Sequence, residues 1–253
     1  MGERRLSDGE KRDYAERGWL VVDDLLGDAL PELQDEVARV EAWGEDGEWL
    51  QHFELTDAGR RLARTENFTP FSALLASVLR DGAIPAVAGQ LLGEPALLYK
   101  EKINYKAVGG AGFSPHQDKP AYPLVDQVLS AMIAIDDATI DNGCLYVVDG
   151  HHHGLLAQDD RGCIAAAVVE GLDWHAAELR AGQSLFFSAL TPHRSAANRS
   201  SKTRRALFPT YNGASEGDLR EAYYEQKRQA FASPETGDRA RLSLIGDFEG
   251  RPA

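Results

Sequence analysis

The feature that most restricts the fold is a change of texture at Ala96. Downstream, short apolar runs rich in β-formers alternate with Gly, Pro, Asn and Asp turns. The runs are Leu97 to Lys106, Leu129 to Ile135, Cys144 to Val148, Ala176 to Leu179, Ser184 to Ala189 and Ala206 to Tyr211. Short strands at this spacing predict a sandwich or barrel rather than a parallel sheet with crossover helices.

Upstream the pattern is helical. Ser7-Asp8-Gly9-Glu10 carries a capping box, so a helix is expected from there toward Arg17, with Gly18 as its stop and a short strand over residues 18–24. From Pro31, the residues Leu33, Val37 and Val40 recur at helical spacing up to Trp43. Phe71 to Leu92 reads as further helix, interrupted near Gly82 and Pro85, and Gly217 to Phe231 as one late helix. The tail beyond Ser233 reads as polar and loosely held. There is no internal repeat and no Pro- or Ser-rich linker. One domain over residues 1–253 is therefore expected: a mostly helical layer (1–95), a β core (96–212), and a C-terminal helix and tail (213–253).

The formal charge of −13 argues against nucleic acid and anionic membranes as partners, since both require basic surfaces. A negative field of that size could attract cationic substrates such as amino-sugars. Cys144 and Cys163 are too few for a disulfide framework or a four-thiolate zinc site, and the N-terminus has no apolar signal region. A reducing cytoplasm is the expected location. Gly109-Gly110-Ala111-Gly112 fits neither nucleotide-binding pattern, and no Gly-x-Ser-x-Gly elbow is present.

The chemistry is concentrated in His116-Gln117-Asp118, which follows a Gly-rich loop. In an extended segment, residues i and i+2 face the same way, so the imidazole and carboxylate can converge on one ion. A third ligand completes the two-His, one-carboxylate face that leaves three positions open on iron(II). His193 is the best candidate: it follows the apolar run Ser184 to Ala189 and leads a polar segment ending in Arg204-Arg205. An Arg there could pair in two-pronged fashion with a dicarboxylate. Adjacent strand residues face opposite ways, so only one of Arg204 and Arg205 can point inward.

These motifs, with Asp141-Asn142-Gly143-Cys144-Leu145 and the stretch His193 to Arg204, resemble the phytanoyl-CoA dioxygenase family of iron(II)/2-oxoglutarate oxygenases. The similarity extends from the Gly18-Trp19-Leu20-Val21 opening to about Tyr211. It implies a double-stranded β-helix, a cupin-like jelly roll whose two sheets enclose the metal. It further implies that His116, Asp118 and His193 bind iron(II), with 2-oxoglutarate and dioxygen as cosubstrates. Arg204 would then pair with the far carboxylate of 2-oxoglutarate, with Ser195, Asn104 and Lys102 as further cosubstrate contacts. The implied activity is oxidation of an unactivated C–H bond of a small molecule. The sequence looks like the bacterial natural-product branch, including the oxygenases of orthosomycin antibiotic biosynthesis acting on sugars or aminocyclitols. Phosphonate hydroxylation, oxidative epimerisation or desaturation, and a catalytically silent cupin-like binding module are the alternatives. Retention of Asp118 favours oxygenation over halogenation, in which a small residue replaces the carboxylate.

Two departures from the family pattern stand out. His151-His152-His153 occurs where one His is usual, and is expected to be a solvated or substrate-facing loop rather than a second metal site. Gly182-Gln183 stands where Gly-Asp is common, which puts a local turn contact in doubt. His52 and His175 are expected to be surface or satisfied core residues, and Trp174 and Phe113 to be core or pocket lining.

Overall fold

The computed structural model describes residues 4–232 and 242–253. Helix α1 (Asp8–Arg17) begins at Ser7, whose side chain accepts from Glu10 N while the Glu10 carboxylate accepts from Ser7 N. It ends at Gly18, in the left-handed region at φ 84. A Cβ there would also lie 2.4 Å from the His152 ring, so glycine is required on two counts. Strand β1 (Trp19–Val22) follows, then α2 (Leu30–Glu41), which turns Leu33, Val37 and Val40 inward. The helical stretch after Phe71 splits into α3 (Ala73–Arg80), capped by Ser72, and α4 (Ala83–Leu92).

Between α2 and α3 lies a hairpin that the sequence reading left unassigned, β2 (Leu50–Thr56) and β3 (Gly59–Glu66). The β region comprises β4 (Ala96–Lys106), β5 (Phe113–His116), β6 (Val128–Ala134), β7 (Leu145–Val148), β8 (Trp174–Ala177), β9 (Ser184–Ser188), β10 (His193–Ser195) and β11 (Arg204–Gly213). A short helix, α5 (Ala166–Val169), precedes β8, and α6 (Arg220–Ala232) closes the helical set.

The strands form two antiparallel sheets, in the orders β1-β9-β6-β11-β4-β3-β2 and β5-β10-β7-β8. This is the jelly roll expected. Its larger sheet is covered on both faces, which is why β6 reads as an unbroken apolar run with every residue buried. Leu129, Ala131 and Ile133 meet α2, α3 and α4 on one face, while Met132 and Ala134 meet the smaller sheet on the other. The same alternation divides β4: Ile103 and Tyr105 enter the helix-side core, which leaves Lys100, Lys102, Asn104 and Lys106 to the face between the sheets.

The tail corrects the sequence reading. Residues 233–241 lie outside the described residues, but Leu242 to Ala253 is packed rather than loose. Ser114 N donates to Asp247 O at 2.7 Å, Leu55 N to Arg251 O at 2.8 Å and Ala253 N to Phe53 O at 2.9 Å. Isolated bridges join Phe113 to Phe248 and Glu54 to Pro252. A polar segment can be ordered by pairing its backbone with a sheet edge, which composition does not register.

Candidate active site

His116 is the last residue of β5 and His193 the first of β10, and the two face each other in the strand register. Asp118 is off the strand, at φ −71 and ψ −24, where the chain enters the 3-10 turn Lys119–Ala121. The convergence therefore comes from a strand end and a turn, not from one extended segment. Between the two ligand candidates, Gln117 is fully buried and ties down neighbouring loops: its amide nitrogen donates to Gly154 O and Leu190 O, and its oxygen accepts from Leu156 N.

His116, Asp118 and His193 bring one potential ligand atom each within 4.8 Å of one another. No other such group occurs among the described residues. Both imidazoles are oriented by their own chain. Nδ1 of His116 lies 2.7 Å from Ser114 O, and Nδ1 of His193 lies 3.0 Å from Thr191 O. A carbonyl only accepts, so in the neutral ring each Nδ1 carries the proton and each Nε2 presents a lone pair. Those Nε2 atoms lie 3.7 and 4.0 Å from Asp118 Oδ1. Burial and the neighbouring His116 push His193 down to about 4, which keeps it neutral and able to ligate. Burial alone would raise Asp118, but His193, Lys102, His116 and Lys100 overcome it and hold the carboxyl well below its usual range. Donor set, tautomers and spacing thus suit a divalent first-row metal.

Arg204 faces this cavity and Arg205 turns away from it. Arg205 forms a two-pronged pair with Asp136 at 2.8 and 2.9 Å on the opposite face. Arg204 is buried and spends one donor, Nη2, on Gly143 O at 2.9 Å. Its Nε and Nη1 are buried without a hydrogen-bond partner among the described residues. Leaving charged donors unpaired costs several kcal/mol unless an anion completes them, so these two donors call for an anionic partner. Gly143 makes the contact possible: it sits at φ 78, and a Cβ there would lie 2.4 Å from Ala196 O.

Ser195 and Asn104 also line the cavity, already engaged: Ser195 Oγ accepts from Lys106 Nζ at 2.8 Å, and Asn104 Oδ1 from Arg64 Nε at 2.9 Å. Lys102 points inward beside Phe208, and Lys100 lies over the Tyr122 ring. Neither ammonium forms a hydrogen bond among the described residues. Burial depresses both, most strongly Lys102, which Lys100 lowers further. The walls carry Arg64, Lys100, Lys102, Lys106, Arg204 and Lys227, against the acids Glu54, Asp118 and Asp247. The sign of the cavity is thus opposite to that of the molecule, which counts against attraction of a cationic substrate by the net charge.

Phe113 lines the cavity, whereas Trp174 packs under Arg194. The His151-His152-His153 segment lies apart from the cavity lining, with the His152 and His153 rings 4.0 Å apart. Gln183 restores the turn contact that its departure from Asp left in doubt, accepting from Arg180 N at 2.7 Å. His52 is buried 3.7 Å from Glu66, and His175 is half-exposed 3.9 Å from Asp149.

The sequence matches the phytanoyl-CoA dioxygenase (PhyH) family over residues 14–206. The chain belongs to that family. This dioxygenase is 43% identical over 253 residues to a methylphosphonate hydroxylase of Gimesia maris, covering 98% of this chain and 97% of that one. It is 35% identical over 229 residues to a 2-aminoethylphosphonate dioxygenase of the uncultured bacterium HF130_AEPn_1, covering 88% and 87%. EctD from S. alaskensis, solved with 2-oxoglutarate and 5-hydroxyectoine, shares the fold at a TM-score of 0.74, with 21% identity, 83% of this chain and 77% of that one. The dioxygenase is accordingly an iron(II)- and 2-oxoglutarate-dependent oxidoreductase. No helix among its described residues is long and apolar enough to cross a membrane.

Proposed function

We propose that the enzyme hydroxylates a small alkylphosphonate, at the carbon bonded to phosphorus. The observation that carries this reading is the pair Lys100 and Lys102. They stand on one face of β4 and line the cavity with Asp118, and neither ammonium forms a salt bridge or hydrogen bond among the described residues. The carboxylate of 2-oxoglutarate has its own partner in Arg204, so a second anionic group is called for, and a phosphonate supplies it. The two phosphonate relatives support the same class. An amino-sugar or aminocyclitol would bring a like charge to this wall.

In this reading, His116 Nε2, Asp118 and His193 Nε2 hold the iron, and Arg204 Nε and Nη1 fix the far carboxylate of 2-oxoglutarate. Ser195 and Lys106 border that end of the cosubstrate, while Lys102 is reassigned from cosubstrate to substrate. Iron(II) with 2-oxoglutarate and dioxygen supplies the oxidant, inserting one oxygen atom into a C–H bond and releasing succinate and carbon dioxide. The protein's own part is positioning and exclusion of water. Phe208, Phe187 and Leu145 wall the cavity with apolar surface, and the lysine pair holds the phosphonate so that its α-carbon faces the metal.

The test is succinate release by the iron-loaded enzyme with methylphosphonate, 2-aminoethylphosphonate, ectoine, a neutral sugar and an aminocyclitol. A phosphonate is expected to accelerate release and to yield its α-hydroxy derivative by phosphorus NMR. Lys102→Met should lose that acceleration while 2-oxoglutarate affinity holds. Acceleration by sugars alone would overturn the assignment.

A further inference from the structure

Strand β6 is apolar at every position but one. Ser130 interrupts the run from Val128 to Ala134, is almost fully buried, and by strand alternation faces the smaller sheet with Met132 and Ala134. Its hydroxyl has two neighbours. Ser130 Oγ lies 3.4 Å from Asp118 Oδ2 and 3.1 Å from Oγ1 of Thr210, its equally buried partner across β6 and β11. A hydroxyl has one proton to give, and a carboxylate is a stronger acceptor than another hydroxyl. Ser130 therefore donates to Asp118 and accepts from Thr210. The two hydroxyls form a directed chain that ends on a single oxygen of the carboxylate, and no other hydrogen bond reaches that carboxylate among the described residues.

The oxygen so held is not the one turned to the imidazoles. Oδ1 lies 3.7 Å from His116 Nε2 and 4.0 Å from His193 Nε2, whereas Oδ2 is the atom that Ser130 engages. The division matters because two imidazoles and a one-oxygen carboxylate leave three positions open on an octahedral ion. A 2-oxo acid chelates through two atoms and dioxygen takes one more, so a carboxylate bound through both oxygens would leave one position too few. We propose that Ser130, backed by Thr210, is a positioning residue that keeps Asp118 a one-oxygen ligand and so reserves a coordination position for 2-oxoglutarate. Both hydroxyls sit on paired strands of the larger sheet, which fixes them independently of the turn that carries Asp118.

Titration of the metal-free protein with cobalt(II) under argon, followed by titration of the cobalt form with 2-oxoglutarate, tests this without phosphonate. Its result is thus independent of which substrate the enzyme takes. Ser130→Ala should leave cobalt affinity undiminished while weakening 2-oxoglutarate by about tenfold or more, the scale for loss of an outer-shell partner. Thr210→Val removes the donor behind Ser130 at nearly constant shape and should produce the same split to a smaller extent. Thr210→Ser keeps the hydroxyl and should bind both as the native protein does. Ser184→Ala, at the buried serine of β9 whose hydroxyl has no hydrogen-bond partner among the described residues, should change neither affinity. Melting temperatures of the metal-free variants confirm folding. Native 2-oxoglutarate affinity in folded Ser130→Ala would overturn the proposal. A parallel loss of cobalt affinity would overturn it too, because the serine would then support the ligand set as a whole rather than the choice of oxygen.

Discussion

Lys106 lies opposite Arg204 across β4 and β11, and burial, followed by the Arg204 charge, pushes its ammonium down to about 7. A dianion placed on Arg204 favours the charged form of Lys106, so 2-oxoglutarate binding takes up a proton wherever the free enzyme has lost one. For a depressed lysine that window opens above pH 7. Affinity should be full below about pH 7 and fall as pH rises, by up to about tenfold per unit. Calorimetry of a redox-inert metal form should show this slope, and Lys106→Met should flatten it; a flat profile in the native enzyme would sink the coupling. Gly143→Ala should raise the KM for 2-oxoglutarate by about tenfold or more, because the carbonyl that steers Arg204 has no room to stay in place. At this scale much of the candidate site was legible. His116, Asp118, His193 and Arg204 announce themselves by residue type and spacing, and the cavity brings them together. Lys100 and Lys106 were missed although strand alternation from Lys102 and Asn104 points straight to both. Asp247 left no local signal, because only the tertiary path of the tail brings it to His116.

Among the elements, α6 is held to the β2–β3 hairpin by a buried ion cluster rather than by apolar packing alone. Lys227 donates to both oxygens of Glu66 at 2.6 Å, and Arg64 and His52 lie beside the same carboxylate. Burial works to raise Glu66, but Lys227, Arg64, His52 and Lys100 outweigh it and hold the carboxyl far below its usual range. That stabilisation is present above the unfolded carboxyl's pKa and is lost as pH falls through the acid range. Lys227→Met strands the Glu66 charge, at a cost of about 3–5 kcal/mol. The melting temperature at neutral pH should drop by about 6–20 °C for a domain of this size. A drop below two degrees would mean that Arg64 alone neutralises Glu66. The elements legible beforehand were those with caps or alternation, such as α1 with its Ser7–Glu10 box and β9 with its apolar run. The hairpin escaped because Gly59-Arg60-Arg61 and Thr65-Glu66 look like a solvated loop, yet β3 pairs with β4 and buries Arg64 and Glu66. The final strap escaped for the same reason: its order comes from main-chain pairing.

Over the whole molecule, two fields of opposite sign act on an approaching anion. The formal charge of −13 repels 2-oxoglutarate at long range, whereas in the proposed site Arg204 and the lysines of β4 would attract it once it is inside the cavity. Ionic strength separates the two, because the screening length falls from about 30 Å at 0.01 M salt to about 8 Å at 0.15 M. The longer length lets the net charge reach the ligand before it enters; the shorter leaves only the cationic walls within range. Raising salt over that interval should therefore speed 2-oxoglutarate association, the reverse of ordinary steering by an oppositely charged partner. Stopped-flow association rates should climb with salt and then level off. In Lys100→Met, a more uniformly acidic molecule, the climb should start from a slower rate and be steeper. A rate that falls with salt in the native enzyme would mean that the field of the cavity reaches beyond its mouth and outweighs the net charge.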